Sequence, residues 1–343
     1  MQLISKQAFA RVGLIGNPSD GYHGKTLAVL VRDFASRVRL YEWDRLEIVW
    51  SQQDQSVFDS IDALVEDVQL HGYYGGVRLV KATIKRLAEF CRRQGLPLHG
   101  RTFSVRYESD IPRCVGLAGS SAIIVATLRA LMEFYGLREE VDIPKRALPS
   151  LALSVETEEL GIPAGLQDRV VQVYEGLVYM DFAREKMLEI RGLKCGVYEP
   201  MDPGLLPPIY VAYRSEASEP TEVPHSNLRA RFERGDADVV AAMAELAALT
   251  DQARDAILRG DCARLDRLIN RNFDIRRSIC ALNPLHVEMV EAARGCGLSA
   301  KFAGSGGAIV GLCPDDAALE RLRAALGPLG CTVIRPKLCG EVS

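Results

Sequence analysis

The chain has 343 residues, with 42 Lys+Arg against 45 Asp+Glu for a formal charge of −3, and is 48% hydrophobic and 25% charged. That ordinary globular composition excludes a disordered or fibrous chain. The near-balance of charge argues against a nucleic-acid partner or an anionic membrane surface. At roughly 100–200 residues per domain, the length predicts two domains or one large one. No apolar stretch reaches the ~20 residues of a membrane span. The start, MQLISKQAFARVGLIG, has no apolar signal core, so no secretion signal is read there. Nine cysteines are scattered without a CxxC pair. This argues against a zinc site or disulfide framework and makes a reducing cytoplasm the expected setting.

In chain order, Val12 to Ile15, Leu27 to Val31, Arg37 to Tyr41 and Leu46 to Trp50 are short runs of β-formers. The spacing predicts a helix around Val77 to Cys91. Val77, Val80, Ile84, Leu87 and Ala88 lie on its apolar face, and Arg78, Lys81, Lys85 and Arg92 lie elsewhere. The basic side reads as a solvated surface rather than a nucleic-acid stripe. Phe103 to Glu108 is a further strand, and Ala122 to Tyr135 is apolar nearly all round, as in a helix buried mid-domain. Leu177 to Phe182 closes the first half. The Pro-rich stretch Pro200 to Pro208 is the best domain boundary. Beyond it come a strand at Ile209 to Tyr213 and a loop at Ser215 to Ser226. Helices at Asp238 to Leu258 and Asp261 to Leu282 follow. Strands at Ala308 to Cys313 and Cys331 to Ile334 flank a last helix near Ala317 to Leu326.

Three local patterns carry chemistry. In Ile111-Pro-Arg-Cys-Val-Gly-Leu-Ala-Gly-Ser-Ser-Ala122 a strand precedes and the buried helix follows. Gly116 and Gly119 let backbone approach a ligand closely. Ser120 and Ser121 sit where the first helical turn leaves amides unpaired, which favours an anion. A serine hydroxyl beside bound phosphate can also coordinate Mg²⁺. The pattern is neither a Walker A loop nor a dinucleotide fingerprint, and locally it fits a capped helix with a glycine turn equally well. The second pattern runs Glu156-Thr-Glu-Glu-Leu-Gly-Ile-Pro-Ala-Gly-Leu-Gln-Asp168. A helix bearing Glu156, Glu158 and Glu159 ends at Gly161, and a turn then presents Gln167, Asp168 and Arg169. The segment can supply a hard oxygen ligand for magnesium and an Asp to orient a hydroxyl. Solvated glutamates, and Asp168 as an N-cap, are the competing readings. The third pattern, Lys301-Phe-Ala-Gly-Ser-Gly-Gly307, taken alone reads as a tight turn before a strand.

Taken in order, Arg11-Val-Gly-Leu-Ile-Gly-Asn-Pro-Ser-Asp20, Gly116 to Ala122 and Phe302 to Gly307 resemble the three motifs of the GHMP kinase superfamily. GNPSDGYHGKT, HGYYGGVRLVKA, DIPRCVGLAGSSAI and ELGIPAGLQDRVVQVYEGL are similar to its plant-type glucuronokinase branch. The resemblance implies an α+β, two-domain fold. Residues 1–200 would form an N-terminal α/β domain with a left-handed βαβ-type nucleotide-binding region. Residues 201–343 would form a C-terminal ferredoxin-like domain. ATP and Mg²⁺ would meet a sugar or uronic acid in the cleft between them.

Carried over by position, the resemblance makes Asp168 the catalytic aspartate and Arg11 the basic residue beside the reacting groups. Gly116, Leu117, Ala118, Gly119, Ser120, Ser121 and Ala122 become the nucleotide phosphate loop, and Ser121 and Glu156 the metal ligands. Asn17, Asp20, Arg113, Gly304, Ser305 and Gly306 fall to the substrate. The implied reaction is transfer of the γ-phosphoryl of ATP to the anomeric hydroxyl of D-glucuronate by a cytoplasmic monomer or homodimer. Where galactokinases read Gly-Glu-His-Thr-Asp, Asn17 and Pro18 replace the Glu and His, which weighs against galactose. Other sugar kinases of the superfamily stay open, as does a sugar sensor without catalysis. Arg113, Arg169 and Arg214 are the candidates for a uronate carboxylate. Tyr73 and Tyr74 are candidates for lining a pocket, with core packing as the default.

Overall fold

The computed structural model describes residues 3–49, 75–214 and 222–339. Trp50, Tyr73, Tyr74 and the start of the loop after Arg214 therefore lie outside the described residues. The first sheet comprises β1 (Leu3–Ile15), β2 (Lys25–Glu42), β3 (Glu47–Val49), β4 (Phe103–Ser109), β5 (Leu177–Asp181) and, after the hairpin β6 (Leu188–Ile190) and β7 (Leu193–Cys195), β8 (Val197–Met201). Its order is β3-β4-β2-β5-β8, with β1 antiparallel to β2. Two expected strands, Leu27 to Val31 and Arg37 to Tyr41, are one. Ala10 pairs with Val31 and Phe9 with Ala35, so the polar break at Arg32 and Asp33 is a bulge rather than a turn.

β3 and β4 run parallel, and helix α1 (Gly76–Gln94) connects them in sequence as a βαβ crossover. Its buried face is rotated from the expected one. Leu79, Val80, Ala82, Arg86, Leu87, Phe90 and Cys91 are buried, whereas Val77, Ile84 and Ala88 are half-buried. The cause is Arg86, which turns inward to Ser154 Oγ (3.2 Å) and Glu158 (2.7 Å).

Helix α2 (Gly119–Tyr135) is buried on nearly every side, as its composition requires. The expected helix leading to Glu156 follows as α3 (Leu148–Ser154), and then α4 (Gln167–Tyr174), neither of them announced by periodicity. They span seven and eight residues, too short for a pattern of period 3.6 to stand out. The chain widens into a π-turn over Val155–Glu159 between them, a distortion common at functional sites.

The second sheet holds β9 (Ile209–Tyr213), β10 (Lys301–Phe302), β11 (Ala308–Leu312) and β12 (Thr332–Ile334) in the order β10-β11-β9-β12, all antiparallel. Taken as strands 1 to 4, that is the ferredoxin-like order. The helices between β9 and β10 are α5 (Glu222–Glu233), α6 (Ala237–Leu258), α7 (Cys262–Ile279) and α8 (Pro284–Gly295), and α9 (Asp316–Leu326) precedes β12. Strand alternation divides this sheet between two cores. Tyr210, Ala212 and Ile309 pack with Met289, Val290, Leu319 and Leu322 of α8 and α9. Ile209, Val211, Ala308 and Val310 join the main core built on β1, β2, α1, α2 and α6.

The hydrophobic interior is thus continuous across the proline-rich stretch Pro200 to Pro208. A polar clamp adds to it. Asp251 on α6 accepts from Lys25 Nζ (2.7 Å) and Tyr179 Oη (2.6 Å), and Arg254 pairs with Glu199 on β8. Among the described residues no helix is long and apolar enough to cross a membrane.

Candidate active site

Arg11 organises the site. It sits on β1 and is 5% exposed. Its Nε and Nη2 donate to Asp168 Oδ1 at 2.6 and 2.5 Å, and its Nη1 donates to the carbonyls of Gly116 (2.9 Å) and Ala303 (3.0 Å). One planar fork therefore joins all three glycine-containing segments to the expected catalytic aspartate, a geometry a point-charge ammonium cannot reproduce.

The phosphate-loop segment turns its carbonyls inward. Gly116 O accepts from Arg11, Leu117 O from the Arg11 amide (3.2 Å), and Ala118 O from Gln172 Nε2 (2.9 Å). Positive φ at Cys114 (55°), Gly116 (74°) and Ala118 (66°) alternates through the loop. That conformation directs the intervening amides outward, as in anion-binding backbone nests. The N-terminus of α2, with its partial positive charge, opens at the same place. Both features favour the phosphate reading of this segment over a plain helix cap.

The structure sets the two serines apart. Ser121 is fully buried, and its hydroxyl returns to Ala118 O (3.1 Å) inside its own helix. The hydroxyl that meets Glu156 is that of Ser120, 2.9 Å from Oε1. Glu156 is 2% exposed on the π-turn, and its other oxygen accepts from Arg169. Arg169 also donates to Gly165 O (2.7 Å) and lies 3.6 Å from Asp168 Oδ2. A carboxylate–guanidinium chain thus runs Ser120, Glu156, Arg169, Asp168, Arg11. Arg169 is a buried member of that chain. Ser120 and Glu156 offer the hard oxygens that suit Mg²⁺ beside phosphates. The described residues hold no cluster of three His, Cys, Asp or Glu that could bind a metal by itself.

Asp168 lies in the first turn of α4 and is not its N-cap, which is Leu166. Asp20 stands beside it. Its Oδ2 accepts from the Gln167 amide (3.3 Å) and fills the space over Gly165, where a Cβ would lie 2.0 Å from that oxygen. Burial first, and then the Asp168 charge, push the Asp20 carboxyl from its ordinary 3.8 up to about 6, although it keeps partial exposure.

Asn17, expected at the substrate, is held by a lysine. It is 4% exposed, and its side-chain oxygen accepts from Lys301 Nζ (2.6 Å). Lys301 also donates to Gly13 O and Phe302 O, both at 2.7 Å. Burial, with Arg276 and Arg11 nearby, holds this lysine well below its usual range. The third segment is a packing surface. A Cβ on Gly304 would meet Gly116 O at 2.2 Å, and Arg276 donates to the Gly304 and Ser305 carbonyls at 2.6 and 2.9 Å. Gly304, Ser305 and Gly306, expected at the substrate, thus abut the Gly116 segment. Arg113 is exposed ahead of that loop. The Arg214 guanidinium lies beside Gly330 and Cys331, at the start of β12.

Lys301, Arg276 and Gln172 were not expected. Gln172 was the most findable, since it follows Asp168 by one helical turn and shares its face.

A loop of alternating positive φ at the N-terminus of α2, beside a guanidinium-held aspartate, is an arrangement able to serve phosphoryl transfer. The models of the GHMP kinases N terminal domain and the GHMP kinases C terminal domain match residues 78–176 and 253–329. The chain is 44% identical to the probable glucuronokinase 2 of Arabidopsis thaliana, over 93% of this chain and 87% of that protein. Glucuronokinase 1 of the same plant is 42% identical with the same coverage. The galactose-bound galactokinase of Lactococcus lactis superposes with a TM-score of 0.74 at 13% identity, covering 98% of this chain and 94% of that one. The chain belongs to the GHMP kinase family. It is an enzyme, an ATP-using phosphotransferase with an alcohol group as acceptor.

Proposed function

We propose that this kinase transfers the γ-phosphoryl group of ATP to the anomeric hydroxyl of D-glucuronate, giving glucuronate 1-phosphate and ADP. The Arg11 fork supports the reaction class, and the similarity to the two plant glucuronokinases supports the substrate. The two halves, 1–200 and 201–343, contribute the phosphate loop with Asp168 and the third glycine segment respectively.

Phosphoryl transfer asks for positioning and charge stabilisation. The amides of Gly116 to Ser121 hold the nucleotide phosphates, whereas that of Ala122 already donates to Ala118 O. Arg11 spends two donors on Asp168 Oδ1, which leaves Oδ2 to accept the sugar hydroxyl proton. Asp20 accepts hydrogen bonds from the sugar. Asn17, with its oxygen held by Lys301, shapes that turn. Ser120 and Glu156 would hold Mg²⁺, which supplies charge neutralisation on the phosphates. Nine unpaired thiols suit action in a reducing cytoplasm, as a monomer or homodimer.

The test is ADP release with Mg-ATP across a panel of neutral sugars and uronic acids. D-glucuronate is expected to lead, and preference for a neutral sugar would overturn the substrate. Asp168→Asn is expected to lose about a hundredfold or more in turnover, and near-full activity would overturn the base.

A further inference from the structure

Two carboxylates, Asp20 and Asp168, face the reacting end of the site. An anionic sugar is repelled there, so its own carboxylate must turn away from them. The cations around these groups are already committed. Arg11 holds Asp168 and two carbonyls, Arg169 holds Glu156 and Gly165, Arg276 holds two carbonyls, and Lys301 holds three oxygens.

On the outer side of the Asp20 turn stands Arg229, on α5. Its Nη2 lies 3.7 Å from where a Cβ would sit on Gly21, the residue after Asp20. Gly21 thus puts no side chain between turn and guanidinium, where even a Cβ would be in contact with Arg229. The guanidinium carbon is 5.8 Å from the centroid of the Tyr22 ring, which Phe232 braces edge-on at 5.0 Å. Such stacking orients the planar fork without using its N–H donors. The Arg229 side chain is 51% exposed, and the carboxylate it meets, Glu233, is 3.9 Å away. A loose exposed pair of that kind is worth little and is readily exchanged.

We propose that Arg229 reads the carboxylate of the hexuronate substrate, an inference that rests on the uronate kinase reading above. It is a substrate-specificity residue, standing beside Gly21 so that the sugar hydroxyls face Asp20 and Asp168 and the acid group faces outward. A bidentate guanidinium–carboxylate contact supplies the discrimination.

The experiment compares D-glucuronate with its uncharged amide in the full-length wild type, Arg229→Gln and Arg229→Lys, with a thermal melt of each variant as the folding check. The wild type is expected to prefer the acid. Arg229→Gln is expected to lose about ten- to a hundredfold in kcat/KM for the acid, mainly through KM, bringing the acid-to-amide ratio near unity. Arg229→Lys is expected to fall between them. An unchanged ratio in Arg229→Gln would overturn the inference. So would Arg184→Gln reproducing the loss while Arg229→Gln does not, because Arg184 borders the same turn at His23. A wild type that turns over no uronate would overturn the functional reading itself, a result visible before any variant is made.

Discussion

Replacing Arg11 by lysine keeps the charge and removes the fork. The guanidinium now serves Asp168 Oδ1 twice and the carbonyls of Gly116 and Ala303 once each. A lysine ammonium that stays with Asp168 leaves the Gly116 carbonyl without its donor, whereas Ala303 O keeps the Gly13 amide at 2.8 Å. One unsatisfied buried group costs about 1–3 kcal/mol, so Arg11→Lys is expected to destabilise the protein by about 1–3 kcal/mol. Unfolding entropy of about 2.1 cal/mol/K per residue, applied to 343 residues, converts that into a fall in Tm of about 1.4–4 °C. Turnover is expected to fall about a hundredfold, because Asp168 and the phosphate loop lose their common reference point. A thermal melt and an ADP-release assay on the same preparation read both effects. A Tm within about 1 °C of wild type, together with full turnover, would refute the view that the fork ties the segments together.

Two further outcomes follow from the same geometry. Ser120→Ala is expected to shift the Mg²⁺ dependence of the rate to higher concentration, whereas Ser121→Ala is expected to cost about 1 kcal/mol of stability without that shift; the reverse pattern would reassign the metal-facing hydroxyl. Asp20, at about 6 against an ordinary 3.8, binds its proton more tightly in the native state, so its ionisation withdraws stability as pH rises through that window. Asp20→Asn should therefore gain stability relative to wild type above that range. On the proposed role of ionised Asp20 as acceptor for the sugar hydroxyls, kcat/KM should fall by about tenfold per pH unit below 6. An acid limb unchanged in Asp20→Asn would assign it to another group.

The long elements were legible because their patterns are local. Ile209–Tyr213 is a run of β-formers and forms β9, and the all-round apolar Ala122 to Tyr135 is buried in α2. The ordered glycine segments pointed to the right chemistry for the same reason. What the sequence concealed was rotation and distance. Ser120 and Ser121 differ by about 100° around a helix, and with Ala118 left-handed at the N-cap that rotation sends one hydroxyl to Glu156 and the other into the core. Arg86 is not singled out by the helix pattern and turns inward, because its partners lie 68 and 72 residues away. Lys301 reads as a charged residue before a glycine turn. Its burial depends on the Gly13 and Asn17 oxygens at the other end of the chain, which no local window contains.

The reach of Arg11 also bears on biosynthesis. Its acceptors lie at residues 116, 168 and 303, so a ribosome-bound chain that has emerged only through β8 holds the phosphate loop and Asp168 but not the third acceptor. The same nascent chain lacks the Ile209, Val211, Ala308 and Val310 side chains that complete the main core. Catalytic competence should therefore arrive late and all at once, when Lys301 to Gly307 docks, and not accumulate as successive portions of the chain leave the ribosome.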